Sequence, residues 1–159
     1  MTIVGPDVLT LEKSGPETMT IGTSALFTLD VHNTGSAPAW NPTITDRLPD
    51  TPLGGTCDAP PTEITAQVFE ENGAIAVSDP LIEGTDFSVD FSGAPGCELG
   101  VTMLSAAGAI GPDQRLIVTY QARLDPDSQD GAALTNVAGA TEWFSTDGTD
   151  PNTADDRRT

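Results

Sequence analysis

Lys13, Asp46 and Asn136 each fall on the apolar parity of a segment that alternates with a period of two. Lys13 follows Leu9 and Leu11, Asp46 follows Trp40, Pro42 and Ile44, and Asn136 stands between Leu134 and Ala138. On a β-strand one parity is one face, so an amine, a carboxyl group and a carboxamide are all directed toward hydrophobic surroundings. Isolated buried charges are costly, and such groups pair or become neutral. A desolvated lysine that sheds its proton is a nucleophile, and a desolvated aspartic acid that keeps one donates a hydrogen bond. Attack of the Lys13 amine on the Asn136 carboxamide, with proton transfers through Asp46 and loss of ammonia, gives an intramolecular isopeptide bond. The reaction runs once and uses no cofactor. Lys13 is also the only lysine in the chain. A plainer account stands beside this one. A lysine near a strand end snorkels to water, a buried asparagine satisfies backbone groups, and Asp46, just before Arg47, is a turn residue with a salt bridge.

The elements that would carry these residues are short strands. Val8–Lys13 is the first, followed by Ala25–Pro49, which reads as strand, turn at Asn33-Thr34-Gly35, and strand. Residues 50–61 are rich in Pro, Gly and Thr and are expected to be loop, Glu63–Glu70 is a strand, and Asn72-Gly73 is a turn signal. Asp86–Phe91 and Leu99–Leu104 flank a loop around Gly93–Cys97. Arg115–Leu124 alternates most cleanly, with Leu116, Val118, Tyr120, Ala122 and Leu124 on one side, and Ala133–Phe144 closes the series. About eight or nine strands with no convincing helix predict an all-β, immunoglobulin-like sandwich. Residues 1–144 are one domain, with 50–99 as an insertion. Residues 145–159 form an acidic linker to a neighbouring domain.

Composition narrows the classes of function. A net charge of −18 over 159 residues argues against nucleic acid or an anionic membrane surface as partner. No run of apolar residues is long enough for a transmembrane helix. Cys57 and Cys97 have no metal-ligand company, so a disulfide in an oxidising, extracellular compartment is expected, with two free thiols as the alternative. The single histidine, His32, sits beside a turn, and no glycine-rich loop follows a strand to hold phosphate. Nothing specifies a pair of carboxylates for glycoside hydrolysis. The expectation is therefore no enzyme and no cofactor. Asp147, Asp150, Asp155 and Asp156 supply oxygen ligands suited to calcium, although their spacing fits no EF-hand and a solvated acidic linker explains them equally. A glycan- or protein-binding module is the other class to weigh. The middle insertion would present its surface, and Trp40 or Trp143 would offer an aromatic platform.

Five short motifs add a resemblance. His32-Asn33-Thr34-Gly35, Ile44-Thr45-Asp46-Arg47-Leu48-Pro49, Leu116-Ile117-Val118-Thr119-Tyr120, Leu134-Thr135-Asn136-Val137-Ala138 and Asp150-Pro151-Asn152-Thr153 occur in that order. Together they resemble the signature of a prokaryotic surface-protein repeat, the family known as domain of unknown function 11. That family in turn resembles the collagen-adhesin A-type domains, in which a lysine on an early strand is joined to an asparagine on a late strand beside a catalytic aspartate. The resemblance implies that Lys13 and Asn136 are the joined pair and Asp46 the proton shuttle. It further implies a stiff spacer repeat in a cell-surface protein or adhesin, with neighbouring repeats and a host or surface ligand as partners. It covers the first and last fifty residues or so; residues 50–99 depart from the short family pattern.

Overall fold

In the computed structural model the described residues are 9–16, 19–21, 23–51, 54–93, 96–126, 128 and 137–144. Among these residues ten strands run in chain order: β1 Leu9–Ser14, β2 Ser24–Asn33, β3 Trp40–Arg47, β4 Asp50–Thr51, β5 Gly54–Gly55, β6 Thr62–Phe69, β7 Phe87–Ser92, β8 Glu98–Met103, β9 Arg115–Arg123 and β10 Val137–Phe144. One four-stranded sheet has the order β1-β2-β9-β6 and a second the order β10-β3-β8-β7. Every pairing within them is antiparallel. This is the expected β-sandwich. Residues 50–61, expected as loop, hold the small ribbon β4–β5, in which Asp50 pairs with Gly55 and Thr51 with Gly54. The glycines make it feasible. A Cβ on Gly55 would lie 2.3 Å from the Pro49 carbonyl oxygen, and Gly54 adopts φ +143°.

Alternation does the building. In β9 the inward residues Leu116, Val118, Tyr120 and Ala122 are buried, and they meet Leu29, Val31, Ile44, Leu99, Val101 and Phe87 in one core. Residues 50–99 supply an edge strand to each sheet, β6 to the first and β7 to the second. Burying an alternating apolar face against the opposite sheet is what stabilises such strands. The alternation lapses once in β3. Asn41 has φ +49° and is buried, donating from Nδ2 to the Met103 carbonyl at 3.2 Å. Trp40, just before it, is half-buried.

The turn motif at Asn33-Thr34-Gly35 has a structural cause. The fully buried Asn33 donates from Nδ2 to the carbonyls of Ala37 and Ile110, each at 2.8 Å, and accepts from the Gly35 N–H at 2.9 Å. One side chain thus joins the β2–β3 turn to the approach to β9.

The two flanks of the sandwich close differently. On one flank β1 lies against β10, bringing the edges of the two sheets together. On the other, residues 75–83 run along β6 and across to β7. Val77 donates its N–H to the Val68 carbonyl at 2.8 Å and Leu81 to Ala66 at 2.9 Å, and Glu83 bridges to Phe87. Among the described residues no helix is long and apolar enough to cross a membrane.

Candidate functional site: a buried amine and carboxylate

Lys13 and Asp46 come from opposite sheets and meet between them. β1 pairs with β2 so that Lys13 stands opposite Leu29 with its side chain on the inward parity of Leu9 and Leu11. Asp46 shares the inward parity of Ile44 in β3. The Lys13 Nζ lies 2.7 Å from Asp46 Oδ2, with 14% of the lysine side chain and 0% of the aspartate side chain exposed. Tyr120, from β9, is the third member. Its hydroxyl accepts a hydrogen bond from Lys13 Nζ at 2.8 Å and donates to Asp46 Oδ2.

Two aromatic rings brace the amine. Phe27 and Tyr120 are register partners on β2 and β9 and stack with centroids 5.5 Å apart, and Lys13 Nζ lies 5.1 Å and 5.5 Å from the two ring centres. Such placement over ring faces is favourable for an ammonium. Gly15 is required here, because a Cβ at that position would come within 2.5 Å of the Phe27 ring. Burial holds the Lys13 amine below its usual value, against the opposing pull of the Asp46 hydrogen bond and charge. Burial, then the Asp46 charge and hydrogen bond, push the Tyr120 hydroxyl far up, so it remains protonated.

Asn136, the expected acceptor, lies outside the described residues, as do Asp147, Asp150, Asp155 and Asp156. Val137, the next residue in the chain, is already in strand pairing with Arg47, and Ala138 pairs with Asp46. Among the described residues no group of three or more His, Cys, Asp or Glu side chains is arranged to hold a metal ion.

Cys57 and Cys97 are joined, with Cα atoms 5.7 Å apart. The bond ties the segment after β5 to the start of β8, where Leu48 also donates its N–H to the Cys97 carbonyl at 2.8 Å. Sequence reasoning missed the residue that organises this corner. The buried Asp125 carboxylate accepts from the N–H groups of Cys57 at 3.3 Å and Asp58 at 2.9 Å. It also missed the role of Tyr120, though a signal existed. The chain has a single tyrosine, on the inward parity of its clearest strand, and a buried phenol needs a partner.

The outward face of the first sheet is a separate feature. Phe69, Arg115, His32 and Thr10 lie in register across its four strands. Arg115 donates from Nη1 to Asp30 Oδ2 at 3.0 Å and from Nε to the Glu71 carbonyl at 2.6 Å, beside an open cleft lined by Glu70, Glu71 and Asn72. Among the described residues, His32 Nε2 and Asp30 Oδ1 find no hydrogen-bond partner.

Two stacked antiparallel sheets carrying a buried ion pair define a β-sandwich module. Among solved structures of that class, the family 3a carbohydrate binding module from the cipA scaffolding of Clostridium thermocellum is similar at 13% identity and TM-score 0.51, over 86% of this chain and 99% of that one. A family IIIA CBD from Clostridium cellulolyticum is similar at 15% identity and TM-score 0.50, over 86% and 93% of the two chains. The CBM3a-L domain with flanking linkers from the cellulosome scaffoldin cipA gives 13% identity and TM-score 0.50, over 88% and 89%. At these identities the likeness is one of fold. No family model and no curated protein sequence matches the chain, so the repeat-family resemblance rests on its five motifs.

Proposed function

We propose that the chain is a non-catalytic β-sandwich module of a larger extracellular surface protein, and that it crosslinks itself once through Lys13 and Asn136. The observation that carries this reading is the 2.7 Å contact between the buried Lys13 amine and the Asp46 carboxylate. The uncharged amine attacks Cγ of Asn136, the Nζ–Cγ bond forms and the Cγ–Nδ2 bond breaks. Asp46 passes the amine's proton to the departing nitrogen, which leaves as ammonia. A ring spanning residues 13 to 136 would constrain the unfolded chain by about 4 to 5 kcal/mol. Because β1 lies against β10, tension entering at one edge would leave through a covalent bond at the other. The intact mass of the reduced protein is the test. A deficit of about 17 Da relative to the sequence is expected from loss of one ammonia, and it should vanish in Lys13→Ala and Asn136→Ala. An unshifted mass removes the crosslink.

A second reading makes the module a carbohydrate binder, and the fold comparisons favour it. Its support in this chain is the outward row of Phe69, Arg115 and His32 next to the cleft at Glu70–Asn72, which belongs to the 50–99 segment. An aromatic ring beside planar hydrogen-bonding groups suits a sugar ring and its hydroxyls. Retention on insoluble polysaccharide, lowered at least tenfold in Arg115→Ala, is the expected result. Wild-type protein that passes unretained over cellulose, chitin and xylan excludes this reading.

A further inference from the structure

We infer that Tyr120 is the positioning residue of the self-crosslinking reaction, its hydroxyl fixing the Lys13 amine and the Asp46 carboxyl in reactive orientation. The inference rests on the crosslink reading and adds to it a residue from the strand neither partner occupies.

The geometry separates Tyr120 from ordinary packing. A lysine side chain turns freely about its last bonds, and one contact to Asp46 leaves the direction of the nitrogen lone pair open. The Tyr120 hydroxyl supplies a second fixed point, since it accepts from the same nitrogen at 2.8 Å and donates to the same carboxyl oxygen, Oδ2. Nζ, phenol oxygen and Oδ2 therefore form a closed triangle of hydrogen bonds with two points on protein framework. The phenol is itself packed in place, its ring fully buried and stacked on Phe27. Of the ionisable side chains among the described residues, the ones in contact with the amine are Asp46 and Tyr120. Holding a nucleophile in a near-attack geometry is worth orders of magnitude in rate, and displacement by about 1 Å loses on the order of a hundredfold.

Tyr120→Phe keeps the ring, its stack and its volume, and deletes one oxygen. Protein is produced unreacted as Lys13-blocked precursor by incorporating a photocaged lysine at position 13, then released by light, and loss of ammonia is followed by intact mass between pH 5 and pH 10. Wild type and Tyr120→Phe are compared after near-ultraviolet circular dichroism has confirmed that both are folded. Positioning predicts that the plateau rate of Tyr120→Phe falls by about a hundredfold, with its pH midpoint little changed. A purely electrostatic role predicts the reverse. Without the phenol oxygen the ammonium loses an acceptor, so the profile would slide to lower pH at an undiminished plateau, and that outcome overturns the inference. Equal rates in both proteins overturn it as well, leaving the crosslink reading intact. Wild-type protein that never loses 17 Da overturns both together.

Discussion

Asp46→Ala should lower the unfolding free energy by about 3 kcal/mol or more, read from urea or guanidinium midpoints. Without its proton shuttle the crosslink does not form, and removing Asp46 also strands the buried Lys13 amine, at roughly 3 to 5 kcal/mol; the 14% residual exposure of Lys13 places that share at the lower end, on top of the lost covalent constraint. Tyr120 adds to the loss, since its hydroxyl would keep Lys13 as its one remaining partner. The informative companion is the double variant Lys13→Met/Asp46→Leu. Replacing both charges by apolar groups of similar volume is often neutral or stabilising, so the double variant should recover the ion-pair share. Any remaining shortfall against wild type measures the covalent bond. A single variant that loses less than about 1 kcal/mol would show that the amine reaches water and that no covalent bond is lost with Asp46.

Reduction of the Cys57–Cys97 bond, or Cys57→Ser with Cys97→Ser, should cost about 4 kcal/mol by the chain-entropy relation for a loop of this size, given the sequence separation of 40. The loss should be expressed locally before it is global. The bond anchors the β4–β5 ribbon and the entrance to β8, and the Asp125 carboxylate holds the same loop through two backbone N–H groups. Hydrogen exchange should therefore accelerate first at residues 54–58 in the reduced protein, while β2 and β9 keep their protection. Uniform acceleration across both sheets would show that the bond sustains the whole sandwich. The effect of reduction should also exceed that of any surface charge substitution in this acidic chain, since exposed pairs contribute about 1 kcal/mol at most.

The strands were legible because a period of two on Val, Leu, Ile and Tyr has few other meanings. Alternation over Arg115–Leu124 gives the inward face correctly, and the observed strand ends at Arg123. The odd polar residues on that parity are also legible, and Lys13 and Asp46 stand out by alternation alone. What alternation does not encode is partnership across the sandwich. Nothing in the spacing of β9 says which of its inward residues meets an aspartate 74 residues away. Likewise the β4–β5 ribbon escaped notice because two-residue strands carry no period. Its glycines, read as loop, are what allow the Pro49 carbonyl and Ser128 to approach so closely. Asn41 escaped for a related reason. A single left-handed residue resets the parity, and Asn tolerates that conformation without announcing it.

The strip at residues 75–83 has a meaning beyond closing one flank. An open strand edge is a template on which identical molecules can polymerise, and the hazard grows with local concentration. β6 and β7 are the outermost strands on that flank, and both have backbone groups already engaged by the chain's own residues, at Ala66, Val68 and Phe87. The opposite flank is shielded by the approach of β1 to β10. With each edge so occupied, copies of this fold can be crowded side by side without exchanging strands.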